Sequence, residues 1–234
     1  MAASPQLLEP ATLAHLLDAQ ALEASTTDSL PTGWVELDAA LPDGGLPTRA
    51  VVELCGPSGM GRVTGVALSV CAAAQARARE QHEESWCAWI DASGSLYAPG
   101  LARAGVDLDR LLVVRPDPAD IARVAVRLVQ SRVFSVVVID RASVPGAQLA
   151  PSRSTRSGAT RWNTVVRRLA LAAGQAETSV LLLSTTATAQ RETLPVAMRL
   201  ELDRPGLDRL RLRVAKDKRG RLRGPQTIPL PMTG

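Results

Sequence analysis

Hydrophobic positions along the chain follow two patterns, which predict alternating strands and helices. Five short runs are almost continuously apolar, as in strands that are buried on both faces of a parallel sheet. The segments between them carry apolar residues three and four positions apart, which is typical of amphipathic helices. The predicted strands are 50–55, 86–92, 111–116, 134–140 and 179–185, and the predicted helices are 63–81, 97–105, 118–132 and 161–176.

The pattern changes toward the C-terminus. Segments 197–204 and 209–220 alternate apolar and polar residues, which predicts two half-exposed antiparallel strands. Residues 221–234 are rich in Arg, Gly and Pro, and we expect a flexible basic tail there. Together the elements predict an α/β domain with a mostly parallel, twisted sheet, helices on both faces and antiparallel C-terminal strands.

An amphipathic helix is also predicted at residues 11–24, ahead of the first strand. Its apolar stripe includes Leu13, Leu16 and Leu17. This stripe either packs on the protein's own core or serves as a helix that binds a partner. The predicted organisation is therefore an N-terminal helix and linker (1–29), a core domain (30–220) and the tail (221–234).

Composition excludes several classes of protein. The three cysteines, Cys55, Cys71 and Cys87, are far apart and suit reduced, buried thiols rather than disulfides. With only two histidines, His15 and His82, a metal centre is not expected. No signal peptide or run of membrane-spanning length occurs, so a cytoplasmic protein without membrane contact is expected.

The positive charge is unevenly placed. The formal net charge is +4, yet ten basic and four acidic residues lie between Arg199 and Arg223. This excess indicates either an anionic partner for the C-terminal part or a solvated strand surface with a basic tail.

The stretch 50-AVVELCGPSGMGRVTGVAL-68 resembles a phosphate-binding loop that has lost its key side chains. The motif G-x-x-x-x-G-K-[ST] cradles phosphates with backbone amides, reaches them with Lys and holds Mg²⁺ with a hydroxyl. Gly56 and Gly61 keep its frame, but Arg62 and Val63 stand where Lys and Ser or Thr are required. Thr64 is one position too far along the helix. The glycines either bind a phosphate weakly or only make a tight strand-to-helix turn.

Five stretches together resemble the ATPase core of RecA, in order and at compatible spacing over residues 30–220. They are 31-PTGWVELDAALPDGGLPTRAVVELCGPSGMGR-62, 90-IDASGSLYAPGLARAGVDLDRLLVVRPD-117, 136-VVVID-140, and 199-RLELDR-204 with 211-RLRVAKDK-218. The resemblance implies a RecA-like fold.

The resemblance also assigns roles to single positions. Asp140 matches the metal-supporting acid of the Walker B strand. Ser93 stands at the position of the carboxylate that activates water, Thr185 at that of the γ-phosphate-sensing Gln, and Gly100 at that of a Tyr that packs on adenine. Because these losses affect separate steps, no catalytic residue, no ATP hydrolysis and no resident cofactor or metal are expected, while weak ATP or phosphate binding stays open.

RecA binds DNA through two loops, whose counterparts here are 141–160 and the shorter 186–196. Lys216 and Lys218 match lysines that in RecA reach the neighbouring subunit's nucleotide. The first loop and the C-terminal strands supply candidates for non-specific contact with DNA phosphates or with a partner. They are Arg141, Arg153, Arg156, Arg161, Lys216, Lys218, Arg219, Arg221 and Arg223. Solvated side chains that bind nothing are the alternative.

A RecA-like chain with a degenerate Walker A loop resembles the ImuA-type proteins of bacterial translesion-synthesis mutasomes. That resemblance implies a non-catalytic protein of the SOS response, in DNA repair and mutagenesis. Its partners would be RecA, the Y-family-like ImuB protein and an error-prone DNA polymerase. Two alternatives remain: a RecA-like ATPase of repair and recombination, and a SulA-type inhibitor of cell division.

Overall fold

A computed structural model describes residues 29–58, 62–142 and 155–230, with only the backbone of residues 155–161. The predicted helix at 11–24, with Leu13, Leu16 and Leu17, lies outside the described residues.

Strands and helices alternate along most of the described chain. The strands are β1 (Ser29–Leu30), β2 (Leu46–Pro47), β3 (Val51–Gly56), β4 (Trp86–Ile90), β5 (Leu111–Val114), β6 (Phe134–Asp140), β7 (Ser179–Thr185), β8 (Met198–Asp203), β9 (Arg209–Asp217) and β10 (Arg223–Pro229). The helices are α1 (Val35–Ala40), α2 (Arg62–Glu80), α3 (Ala98–Arg103), α4 (Ile121–Gln130), α5 (Thr155–Ala176) and α6 (Thr186–Arg191). Short 3₁₀ turns at Leu108–Arg110 and Pro118–Asp120 precede β5 and α4.

Eight strands form one sheet in the order β10-β9-β8-β3-β7-β6-β4-β5. The six strands from β8 to β5 are parallel, while β9 and β10 are antiparallel additions beside β8. This confirms the predicted fold class. The carboxyl ends of the parallel strands all meet at one edge, where open α/β sheets place their functional groups.

Helices cover both faces of the sheet because the central strands are apolar on both sides. All six residues of β3 are buried. Helices α1 and α2 pack on one face through residues such as Leu37 and Val66. Helices α4 and α5 pack on the other face through residues such as Val129 and Leu169.

Two predictions of irregular chain differ from the structure. Strand β10 occupies most of the part of the predicted tail that the structure describes, and it pairs with β9. Its Gly and Pro residues argue locally against a strand, but Ile228 and Leu230 are buried against the sheet's apolar core. The predicted loop 186–196 begins with helix α6, which Thr185 caps. Both elements depend on contacts with distant parts of the chain.

Among the described helices, none combines the length and apolar character needed to cross a membrane. Within the same ranges, no cluster of three or more His, Cys, Asp or Glu residues is arranged to bind a metal ion.

Candidate functional site at the carboxyl edge of the sheet

The topology brings the predicted site positions together. Gly56 ends β3 and is paired in register with Thr185, the last residue of β7. Asp140 ends β6, the next strand, opposite Leu183 of β7. Ser93 follows β4, the neighbour of β6. The remnants of the RecA-like site therefore lie side by side along one edge of the sheet.

The turn from β3 into α2 is tightly packed around Gly56. A Cβ at this position would lie 2.8 Å from the carbonyl oxygen of Leu202 and 2.9 Å from Cγ2 of Val63. Only glycine fits there without a shift of backbone. Val63 is itself buried, so its methyl groups fill the space beside the strand end. Thr64 is rotated about 100° further around the helix and does not share this direction.

Two arginines lie at the mouth of the turn. Burial lowers the pKa of Arg62, and the nearby charge of Arg204 lowers it further. Arg204 is fixed in place, since its guanidinium donates to the carbonyl oxygens of Gly206 at 2.9 Å and Leu207 at 2.7 Å. Sequence comparison with the motif did not identify Arg204, which follows β8 and approaches the loop only in the folded chain.

The hydroxyl of Ser93 belongs to a local turn. It lies 3.2 Å from Oδ1 of the buried Asp91 and 3.0 Å from Oγ of Ser95. The backbone amides of Ser95 and Leu96 also donate to Asp91, at 2.9 and 3.1 Å. Asp91 therefore organises the turn after β4, and the side chain at position 93 is not a carboxylate that could act as a base.

Thr185 has a structural role at the next strand end. Its Oγ1 accepts a hydrogen bond of 3.2 Å from the amide of Thr188, which caps the N-terminus of α6. A capping hydroxyl satisfies one of the free amides of a first helical turn. The side chain is much shorter than the Gln of the family pattern.

The residues at this edge do not fit a magnesium–nucleotide complex. Asp140 is a carboxylate in the family's place, and it is buried. Val63 has no oxygen for the metal, and Arg62 presents a broad planar group where the motif has a slim ammonium. No step of hydrolysis can be assigned to Ser93 or Thr185. Gly61 lies outside the described residues, as does the rest of 59–61.

Arg141 is buried rather than exposed on a DNA-binding loop. Its side chain is 1% exposed and donates to Oε2 of Glu192 at 2.9 Å. Its guanidinium carbon lies 4.0 Å from the ring centroid of Trp162, a cation–π geometry. Its Nε and Nη1 have no hydrogen-bond partner among the described residues. This buried position does not fit the predicted contact with DNA.

A second buried ion pair lies beneath the site. Glu53 in the middle of β3 is fully buried and accepts from Nε of Arg199 at 2.6 Å and from the hydroxyl of Ser184 at 2.7 Å. Arg199 also donates to the carbonyl oxygens of Ala189 and Glu192, both at 2.9 Å. Sequence reasoning missed this cluster, although a Glu inside the apolar run 50-AVVELC-55 was a signal for it.

The predicted C-terminal cations lie away from the loop. Asp217 pairs in register with Met198, which pairs with Val52 at the amino end of β3. Lys216 and Lys218 flank Asp217 and are therefore at the edge opposite Gly56. Nζ of Lys216 donates to Leu194 at 2.6 Å, and burial lowers its pKa, as does the charge of Arg199. Lys218 is exposed.

Three further candidate cations have partners in the protein. Arg221 donates to both oxygens of Asp43 and to Asp217. Arg223 donates to the carbonyl oxygen of Ala40 at 3.1 Å. Arg219 lies 3.3 Å from Asp43 but is 58% exposed. Arg153 and the side chains of Arg156 and Arg161 lie outside the described residues.

Comparison with known proteins agrees with this fold. The chain matches the RecA N-terminal domain over residues 13–183. It is 42% identical to "Protein RecA" of Cutibacterium acnes over 113 residues, which cover 48% of this chain and 30% of that protein. It is 40% identical to "Protein RecA" of Frankia alni over 124 residues, which cover 52% of this chain and 34% of that protein. It is 38% identical to "Protein RecA" of Acidiphilium cryptum over 130 residues, which cover 54% of this chain and 36% of that protein. The chain thus spans about a third of the length of these relatives. With a family match over most of its length and a RecA-like order of elements, this chain belongs to the RecA N-terminal domain family.

Proposed function

We propose that this protein is a RecA-like accessory factor of DNA-damage tolerance that does not hydrolyse ATP. It acts in the cytoplasm by binding RecA and an ImuB-type, polymerase-like partner, as an ImuA-type component of a translesion-synthesis mutasome. The RecA-shaped core docks on a RecA protomer or filament end. Since it does not turn over nucleotide, it restrains the filament and brings the polymerase partner to it.

The observation that supports this proposal most directly is the packing of Val63. The motif requires a hydroxyl ligand for magnesium at this position, and here the valine is buried, with its Cγ2 beside Gly56. A missing ligand at the metal removes the main electrostatic stabilisation of phosphoryl transfer. The neighbouring changes at Arg62, Ser93 and Thr185 affect other steps of the same reaction.

The location of the two lysines supports docking on RecA. Lys216 and Lys218 match lysines that RecA directs at the neighbouring subunit's nucleotide, and they lie at the edge opposite the chain's own degenerate loop. A docked RecA protomer could present its intact nucleotide to that edge. The contact would then need no nucleotide in the chain's own loop.

The first experiment is a titration with a fluorescent ATP analogue and Mg²⁺, with RecA as the positive control. We expect no saturable binding up to about millimolar nucleotide, that is, a binding free energy weaker than about −4 kcal/mol. A parallel assay compares ATP turnover of the wild type and of Asp140→Ala. ATPase activity that disappears in Asp140→Ala would overturn the proposal in favour of a true ATPase.

The second experiment tests the partners. Purified RecA and a purified ImuB-type protein are each captured on the immobilised chain, with and without ATP. We expect capture of both, and a weaker signal for RecA with the double variant Lys216→Ala, Lys218→Ala. Truncation of the first 27 residues tests the predicted partner helix with Leu13, Leu16 and Leu17. If the chain captured neither RecA nor the ImuB-type protein, the accessory role would be refuted, whatever the nucleotide result.

A further inference from the structure

A groove of about 830 Å³ lies along helix α2, on the side that faces away from the sheet. Val66 and Val70 on the other side of α2 are fully buried in the core, whereas the floor of the groove is only partly buried. The floor consists of small side chains three and four positions apart, which are Ser69, Ala72, Ala73 and Ala76. A helix surface of small side chains allows a second helix to approach closely.

Two walls border this floor, and both are fixed to α2. The first is the chain just before α1, where the hydroxyl of Ser69 donates to the carbonyl oxygen of Thr32 at 2.6 Å. The second is the turn after α3, where the buried side chain of Gln75 donates to the carbonyl oxygen of Asp107 at 3.1 Å and accepts from its amide at 2.9 Å. Since these bonds lie within the described fold, the groove is formed before anything occupies it.

The described chain begins at this groove. Ser29 is its first residue and lines the groove, and its carbonyl oxygen accepts from Nη1 of Arg77 on α2 at 3.4 Å. The helix predicted at residues 11–24 ends five positions before Ser29, and five residues of extended chain span at most about 18 Å. So short a connection gives the helix an effective concentration of about millimolar at the groove. A contact too weak to hold a separate peptide is therefore sufficient to hold the chain's own helix.

The predicted helix matches the groove in length and in side-chain size. From Ser69 to Glu80, both of which line the groove, α2 rises about 18 Å, and a helix over residues 11–24 is about 21 Å long. The leucine stripe has the same three- and four-residue spacing as the floor, and its members are Leu13, Leu16 and Leu17. Large side chains of one helix pack against small ones of another when the axes lie about 8 to 10 Å apart.

The charges are complementary as well. Residues 1–28 contain no Lys or Arg and four acidic side chains, which are Glu9, Asp18, Glu23 and Asp28. The rim of the groove carries Arg77 and Arg79 beside one carboxylate, that of Glu80. The side chain of Arg79 stays 55% exposed, although it lies 3.5 Å from Asp107. An acidic helix is therefore attracted to this rim, with the small contribution that exposed ion pairs make.

A second cavity beside Ser29 suits the helix less well. Its volume is about 380 Å³, and five charged side chains line it, which are Asp43, Asp217, Lys218, Arg219 and Arg221. Leucine side chains laid over them would remove charges from water without replacing their hydration. The groove on α2, with its floor of small side chains, has no such cost.

We infer that the groove on α2 binds the protein's own N-terminal helix, residues 11–24, with Leu13, Leu16 and Leu17 on the floor of small side chains. The contact is intramolecular, and a helix held in this way withholds its leucine stripe from partners until it is displaced. This goes beyond the proposed function, which rests on the nucleotide loop and the C-terminal lysines and gives the helix no place on the core.

The test measures how fast a thiol in the groove reacts in the full chain. Ala76→Cys places one thiol in the floor, and Ala72→Cys is a second reporter. The native cysteines are fully buried, so a thiol-reactive reagent at pH 8 modifies the engineered position first. Mass spectrometry compares the labelling rate with the natural helix and with the triple variant Leu13→Gln, Leu16→Gln, Leu17→Gln.

Three controls isolate the contact. Ala11→Gln, His15→Gln, Leu22→Gln changes the opposite side of the predicted helix, at about 100° per residue. Gln175→Cys reports labelling at an exposed position of α5, on the other face of the sheet. Asp18→Lys, Glu23→Lys reverses two charges without touching the leucines. Thermal unfolding confirms that each variant folds.

We expect the leucine variant to label the groove thiol about tenfold or more faster than the natural helix does, at a rate independent of protein concentration. The charge reversal should raise the rate about two- to fivefold at low salt. The opposite-side variant and the α5 thiol should keep their rates. Equal rates with the natural and the leucine-free helix, or an equal rise in the opposite-side variant, would overturn the inference. Protection that grows with protein concentration would also overturn it, since a second copy would then fill the groove. No nucleotide, RecA or ImuB-type protein is present, so these outcomes leave the earlier experiments unaffected.

Discussion

At the scale of single residues, the side chains at the positions that match the RecA site have contacts within the protein's own fold. Val63 is held against Gly56, and Thr185 caps a helix. Arg141 follows the Walker B acid and is buried between Trp162 and Glu192. These side chains now have structural roles. A single reversion such as Val63→Thr would add a hydroxyl without restoring the other groups that catalysis needs.

Removing Glu192 leaves the buried guanidinium of Arg141 without its carboxylate. We expect Glu192→Gln to lower the free energy of unfolding by about 1–3 kcal/mol. In a double-mutant cycle with Arg141→Met, the coupling energy should be about 1–2 kcal/mol. Urea denaturation measures the free energy of unfolding of the wild type and of each variant in the cycle. The exposed pair Arg123–Asp120 is the control, with an expected coupling below about 0.5 kcal/mol, and an equal value for both pairs would contradict the prediction.

The three cysteines should be unreactive in the folded protein. Cys55, Cys71 and Cys87 are all fully buried. Burial raises the pKa of Cys55 to about 12, and the charge of Glu53 adds to this effect. A thiol-reactive reagent at pH 8 should therefore label none of them until denaturant is added, when all three react. Stoichiometric labelling of the native protein within minutes would show that the core opens readily.

At the scale of elements, cations from other strands fix the segment between β7 and β8. Arg141, directly after β6, binds Glu192, while Arg199 from β8 and Lys216 from β9 bind backbone carbonyls of the segment. The corresponding RecA loop contacts DNA, by the resemblance described above. A segment held from three strands is a poor candidate for the large movement that a nucleotide-driven loop requires.

Strand β10 depends on Asp43, which lies before β2 and binds both Arg219 and Arg221. Asp43→Ala should lower the free energy of unfolding by about 1–3 kcal/mol, since the guanidinium of Arg221 loses charge-assisted bonds. Hydrogen exchange should also become faster in the peptide that covers Arg223–Pro229. Asp208→Ala is the control, because its carboxylate is 78% exposed and lies 4.0 Å from Arg209. Unchanged exchange in β10 would show that strand pairing alone holds it.

At the scale of the whole molecule, positive charge is divided between two surfaces. Many of the C-terminal cations form ion pairs, such as those of Arg211 with Asp203 and of Arg213 with Glu201. Among the described residues, Arg127 of α4 and Arg167 of α5 are exposed and form no ion pair. The folded chain therefore exposes positive charge on the helices as well, although local charge in the sequence is densest in the C-terminal strands.

Acid should weaken the contacts between Asp43, which lies between α1 and β2, and the turn that joins β9 to β10. The hydrogen bond from Arg221 lowers the pKa of Asp43 below its ordinary value of 3.8. A lowered pKa contributes stability above pH 3.8, and this contribution is lost as the pH falls through the folded-state value. The difference in unfolding free energy between the wild type and Asp43→Asn should therefore be constant near neutrality and shrink below about pH 3.8. A difference that grows in acid would contradict this sign.

The order of the elements, the parallel sheet and the position of the glycine turn after β3 could all be predicted from sequence patterns. Periodicity identified the buried strands because a parallel sheet covered on both faces requires continuous apolar runs. The match of motifs located Gly56, Asp140 and Thr185 at strand ends, and parallel pairing then placed them at one edge.

Which charged residues are buried, paired or exposed depends on contacts that form in the folded chain. Glu53 and Arg199 are 146 positions apart, and no local pattern joins them. The same applies to β10, where Gly and Pro argue against a strand but pairing with β9 and burial of Ile228 outweigh them. Local propensity fixes what a segment can form, whereas the desolvation of charges and the pairing of strand edges depend on neighbours that only the folded chain supplies.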